Sequence, residues 1–164
     1  MITVGVTGHQ RLRNPNDWSW VRKKIAFVIG GLPRPWVGLS SLAIGADQLF
    51  ASLVLESHNP LKVILPNDRY EETFSLGPER ERYRSLLKQA SEIQVLTGAR
   101  SNEESYLQAG KLIVDESDRL LAVWDGKPAR GIGGTGDIVA YALTSGKQII
   151  HINPISRQVR NKRS

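Results

Sequence analysis

Two rhythms of apolar residues alternate along the chain. Short aliphatic runs at Ile2–Val6, Trp36–Leu39, Leu61–Leu65, Ile93–Leu96, Leu120–Trp124 and Gln148–Ile152 read as six strands. Between them the apolar positions recur at helical spacing. Trp18, Val21, Ile25 and Val28 mark one helix, ended by Pro33 and Pro35, and Ala46, Leu49, Phe50, Leu53 and Val54 mark a second. Pro66 closes the third strand. A polar connection over Asn67–Gly77 then leads to a helix opening at Pro78, a favoured first-turn position. Ser101 and Glu104 have capping-box spacing ahead of the stripe Tyr106, Ala109, Gly110, Ile113 and Val114. A last helix is expected from Thr135 to about Ser145.

Strands alternating with helices imply right-handed βαβ units, and so an α/β fold with a doubly wound, mostly parallel six-stranded sheet and helices on both faces. One domain is expected over 1–153, with a basic, flexible tail over 154–164 and no internal repeat or linker. Such a sheet places its ligand crevice outside the carboxyl ends of the strands, near the switch point beside the first strand.

Composition narrows the setting. The 164 residues are 40% hydrophobic, enough for a proper core, and no run of about 18 apolar residues suggests a membrane span. The chain starts directly on a strand-like segment rather than a signal peptide, and it has no cysteine. A cytoplasmic protein without disulfides or thiolate metal sites is the expectation. His9, His58 and His151 have no metal-ligand spacing, so neither metal nor cofactor is expected. The net charge of +6 is concentrated: Arg157, Arg160, Lys162 and Arg163 lie in the last eight residues, leaving +2 for the body. That tail reads as a solvated end, with nucleic-acid binding the lesser alternative.

The candidate chemistry lies at the strand ends. The first strand runs into Thr7, Gly8, His9, Gln10 and Arg11, and the second into Ser40, Ser41 and the turn Gly45-Ala-Asp47. Leu120–Trp124 runs into a loop containing Gly126, Gly131, Gly133 and Gly134, which opens the helix at Thr135. Free amides and the positive dipole end of that helix suit a phosphate. Arg11 can clamp a phosphate in two places. Thr135 and Asp47 are each split between helix capping and ligand contact, and Asp137 between the helix dipole and a ribose hydroxyl. Trp124 and Tyr70 are candidates for stacking on a base. Ser40 and Ser41 have no histidine nearby in sequence and do not read as nucleophiles.

Thr7-Gly-His-Gln-Arg11, Ser41-Leu-Ala-Ile-Gly-Ala-Asp47 and the stretch Ser117–Asp137 together resemble the SLOG superfamily, which joins the DNA-processing protein DprA to the cytokinin-activating LOG enzymes. The second motif is similar to the Ser-Gly-Leu-Ala-x-Gly-x-Asp segment of the DprA branch. The resemblance implies a Rossmann-like fold, a nucleotide or nucleotide-derived ligand and a homodimer or higher homo-oligomer. Some members sense nucleotide signals in bacteria.

The match to LOG enzymes departs where their chemistry lies. They carry Pro-Gly-Gly-x-Gly-Thr-x-x-Glu, whereas this chain reads Gly131-Ile-Gly-Gly-Thr-Gly-Asp137, with Ile138 at the glutamate position. Asp137 is then the nearest catalytic carboxylate, and Lys111 stands in place of a helical arginine. One residue of register turns a helical side chain by about 100°. The expected function is therefore a binding site at the carboxyl edge of the sheet, built from Gly8, His9, Arg11, Ser40, Ser41, Gly45, Asp47, Trp124, Gly131, Gly133, Gly134, Thr135 and Asp137. The site would hold an intact nucleotide as a sensor does. A phosphoribohydrolase using Asp137 and Lys111, and a DprA-like binder of single-stranded nucleic acid, are the alternatives.

Overall fold

Seven strands and five α-helices follow one another along residues 1–163, which the computed structural model describes; Ser164 lies outside them. The order is β1 (Ile2–Gly8), α1 (Asp17–Gly30), β2 (Trp36–Ser40), α2 (Ala46–Glu56), β3 (Leu61–Leu65), α3 (Pro78–Gln89), β4 (Glu92–Val95), α4 (Asn102–Glu116), β5 (Arg119–Val123), α5 (Thr135–Thr144), β6 (Gln148–Asn153) and β7 (Gln158–Lys162), with a short 3₁₀ helix at Tyr70–Thr73. The sheet runs β4-β3-β2-β1-β5-β6-β7, parallel throughout except that β7 is antiparallel to β6. The chain winds outward from β1 to β4, then crosses to β5 on the other side of β1. The switch point is the β1–β5 boundary, where Val4 to Gly8 pair with Arg119 to Val123.

Strand periodicity builds two cores. Along β5, Leu121 and Val123 join Val4, Val6, Phe50 and Tyr83 under α1–α3, while Leu120 and Ala122 join Ile113, Ile138 and Ile149 under α4 and α5. Successive side chains point to opposite faces, so a strand buried on both sides reads as a continuous apolar run. α4 begins where its capping box predicts. The Ser101 hydroxyl accepts the Glu104 amide at 3.1 Å, and the Glu104 carboxylate accepts the Arg100 amide at 2.8 Å. No helix among the described residues is long and apolar enough to cross a membrane.

The sheet has one strand more than the sequence pattern predicts. The basic segment read as a flexible tail instead turns back after Asn153, whose side-chain oxygen accepts the amides of Ile155 and Ser156 at 2.9 and 3.2 Å. Gln158–Lys162 then pairs with Asn153–Ile149 as β7. Backbone bonding to the free edge of β6 holds it, together with the Arg157 guanidinium 2.6 Å from Asp17. Val159 is the lone apolar residue in the strand, so no alternation announces it. Its cations, the exposed Arg160 and the half-buried Lys162, suit an edge strand, where charge discourages pairing with another chain.

Candidate functional site

Three loops converge at the carboxyl edge of β1, β2 and β5 around a cleft of about 1250 Å³. The β1–α1 turn lies directly on the start of α2. Gly45 has φ of +82°, and a Cβ there would collide with the carbonyl oxygens of His9 and Gln10. Only glycine fits both demands. The Ala46 amide donates to the His9 carbonyl at 3.1 Å and completes the contact. Gly45 therefore joins two loops and borders a second, smaller groove rather than lining the main cleft.

The Ser40–Asp47 loop divides its polar groups between structure and cleft. The buried Ser40 hydroxyl donates to the Asp47 carbonyl and accepts the Leu42 amide, both at 3.1 Å. Its capacity is spent on the loop, and it is not among the cleft-lining residues. Leu42, bulky and fully buried, has φ of +58°, a strained conformation. Ser41 does line the cleft, and its buried hydroxyl has no hydrogen-bond partner among the described residues. An unpartnered buried hydroxyl is costly, so a ligand that engages it recovers that loss. Asp47 lines the same wall at 8% exposure. Burial raises its pKa to about 7, against a smaller lowering by the Ala43 backbone.

His9 ties the turn to the end of β5. Its Nε2 accepts the Asp125 amide at 3.0 Å and lies 3.4 Å from the Asp125 carboxylate. Burial acts to raise the Asp125 pKa, but the Lys127 amide and His9 outweigh it and hold the carboxyl below its ordinary range. Trp124 donates from Nε1 to the Lys127 carbonyl at 2.8 Å, packs on His151 with ring centroids 5.0 Å apart, and has the Lys162 ammonium 5.5 Å above its ring. It lines the cleft as a fixed wall. Tyr70 does the same from the 3₁₀ helix, in an aromatic cluster with Phe74, Tyr83 and Tyr106. Burial, then the Asp47 charge, push its phenol well above its ordinary pKa, so it remains a hydrogen-bond donor.

The glycine loop and the first turn of α5 form the opposite wall, where Gly131, Gly133, Gly134 and Thr135 all line the cleft. The Asp137 carboxylate accepts the Gly133 amide at 3.1 Å, and the Asp137 amide donates to the Gly134 carbonyl at 3.0 Å. The amides of Thr135 and Gly136 have no protein acceptor among the described residues. Arg13, Lys127 and Arg130 line this cleft and form no salt bridge among the described residues, whereas Arg11 pairs with Glu79 at 3.3 Å.

The structure thus gathers Gly8, His9, Arg11, Ser41, Asp47, Trp124, Gly131, Gly133, Gly134 and Thr135 around one cleft. Asp137 caps the loop and is not among the lining residues, and Lys111 lies over the Tyr141 ring at 5.2 Å, also outside the lining. Arg13, Asp125, Lys127 and Arg130 are lining residues that motif reading passes over. The signal for two of them is present in sequence: Lys127 and Arg130 flank Pro-Ala inside the glycine loop.

No family model and no curated protein sequence matches the chain. Solved structures do. DNA processing protein A (DprA) from Streptococcus pneumoniae superposes with a TM-score of 0.64 at 14% identity, over 92% of this chain and 50% of that one. The Helicobacter pylori DprA, described for its single-stranded DNA binding mode, gives 0.61 at 14% identity over 92% of this chain and 64% of that one. The Moco carrier protein of Chlamydomonas reinhardtii gives 0.53 at 17% identity over 92% and 74%. The chain spans half the length of the pneumococcal protein. Its fold is the Rossmann-like α/β fold that these structures share.

Proposed function

We propose that this Rossmann-like chain, which resembles the SLOG superfamily, binds a nucleotide or nucleotide-derived ligand in the cleft at the β1–β5 switch and senses it without cleaving it. The observation that carries the reading is the convergence around one cleft of the two α5 amides and of Arg13, Lys127 and Arg130, groups that have no protein acceptor or salt-bridge partner among the described residues. Helix-terminal amides and guanidinium groups are the standard donors to a phosphate. Asp47, Ser41 and Tyr70 supply carboxyl, hydroxyl and phenol groups for the sugar and base. Switch-point clefts are where doubly wound sheets hold ligands.

Cleavage is not part of the proposal. Splitting an N-glycosidic bond needs a group that activates water at the sugar. Asp137, which caps the glycine loop, and Lys111, over the Tyr141 ring, are not among the cleft-lining residues, which supports binding over cleavage. One observation favours a second reading. β7 brings the Lys162 ammonium 5.5 Å from the ring of Trp124, itself a cleft-lining residue. With the single-stranded DNA binding mode described for the Helicobacter pylori neighbour, that arrangement supports an oligonucleotide ligand.

A thermal-shift panel of nucleotides tests the reading. A ligand that binds only the folded state stabilises it by about 2.7 kcal/mol at a hundredfold excess over Kd. For a chain of this size that is roughly 5–10 °C in melting temperature. The ligand is expected back unaltered by chromatography, and Lys127→Ala with Arg130→Ala is expected to abolish most of the shift. No shift with any nucleotide, or release of free base, overturns the proposal. Stabilisation by oligonucleotides alone, steeply weakened by salt, shows the second reading instead.

A further inference from the structure

We infer that the site has a second compartment, and that its ligand is a dinucleotide: two nucleoside halves joined through phosphate. The inference rests on the nucleotide reading of the main cleft and adds the size and chemistry of what enters it. Clefts of about 300–1000 Å³ suffice for small ligands. The main cleft, at about 1250 Å³, is larger than one nucleotide requires. Beside it lies a groove of about 420 Å³ between α1, α2 and α3. Gln10, Arg11, Ile44 and Glu79 line both spaces, so the boundary is a row of shared side chains.

The groove's chemistry differs from a packing defect. Trp18, Arg22 and Arg82 line it, and Glu79 is the single acidic residue that does. An indole offers a face to a base, and guanidinium groups offer paired donors to a phosphate. Arg22 is held by both carboxylate oxygens of Glu56, at 3.0 and 2.8 Å. Arg82, on α3, forms no salt bridge among the described residues, and its side chain is exposed. Arg11 stands at the boundary in an ion pair with Glu79 at 3.3 Å, with 75% of its own side chain exposed. So solvated a pair is weak, and a bridging phosphate can take the guanidinium over. One half of the ligand then lies in the main cleft, the linking phosphate at Arg11, and the second base beside Trp18. A base stacked on an aromatic ring gains roughly tenfold or more in affinity.

The test is calorimetric titration of the full chain with AMP, GMP, ATP and GTP against diadenosine diphosphate, NAD and the cyclic dinucleotides of adenine and guanine. The best dinucleotide is expected to bind about tenfold or more tighter than any mononucleotide. Arg82→Glu, on an exposed helical position outside the main cleft, is expected to remove that gain while leaving mononucleotide affinity in place. Trp18→Leu, although it also trims packing against the core, is expected to act the same way, with retained mononucleotide affinity confirming the fold. If mononucleotides bind and dinucleotides gain nothing, or Arg82→Glu is silent, the second compartment falls and the main-cleft reading stands. If a nucleoside triphosphate equals the best dinucleotide, the groove holds phosphates only and the second base falls. If no nucleotide of either size binds, both readings fall together.

Discussion

Asp47 shows how a single side chain links stability to the site. Its carboxyl is buried at the start of α2, and desolvation raises its pKa from the ordinary 3.8 to about 7. Between those values the folded chain retains a proton that the unfolded chain has released. Stability therefore falls as pH rises across that interval, and the loss is complete above about pH 7. Asp47→Asn keeps the shape without the charge. In urea melts it is expected to flatten the profile between about pH 4 and 7 and to be more stable than the parent at pH 8, by on the order of 2–4 kcal/mol. An unchanged profile would show that the carboxyl is not desolvated. Gly45→Ala tests the joint between the β1–α1 and β2–α2 loops. A methyl group there meets two carbonyl oxygens at a positive φ, and a loss of roughly 1–3 kcal/mol is expected in the same melts. Both positions are visible in sequence as part of one glycine-and-acid motif. What sequence does not separate is their work: Ser40 and Gly45 read like ligand contacts, yet one bonds its own loop and the other lets two loops touch.

Among the elements, legibility follows the source of the stabilisation. β1, β3 and β5 are buried on both faces, and their apolar runs reveal them directly. The capping residues of α4 and Pro78 of α3 mark helix starts within a residue. β7 and the 3₁₀ helix at Tyr70–Thr73 stay hidden, because backbone pairing makes the first and tertiary aromatic packing the second. Neither leaves a period in the sequence. The anchor of β7 is also a long-range contact, 140 residues apart, between Arg157 and the largely buried Asp17. Arg157→Ala removes a charge-assisted bond and is expected to cost about 1–2 kcal/mol by chemical denaturation. Hydrogen exchange in β6 should accelerate with it, because β7 covers that strand's free edge. Unchanged exchange in β6 would contradict this role for the strand.

For the molecule as a whole, topology does what no single motif can. Winding outward to β4 and returning beside β1 leaves a crevice outside the carboxyl ends of the paired strands β1 and β5. Loops far apart in sequence, at Thr7–Arg13, Ser40–Asp47 and Trp124–Thr135, thereby face one another. The expected doubly wound order predicts this crevice, and the glycine loop predicts one of its walls. The electrostatics of that wall are less legible, since the +6 charge draws attention to the C-terminal segment while Arg13, Lys127 and Arg130 sit at the cleft. If those cations hold phosphate, reversing Lys127 and Arg130 to Glu should weaken nucleotide binding about tenfold or more and leave the melting temperature of the free protein nearly unchanged. The central claim meets its most direct test in native mass spectrometry of the purified full chain, alone and with each nucleotide. The expected spectrum shows one intact nucleotide-derived ligand per chain, lost in the Lys127→Glu, Arg130→Glu variant. A bare chain under every nucleotide, or a chain carrying only the products of a cleaved one, would contradict it.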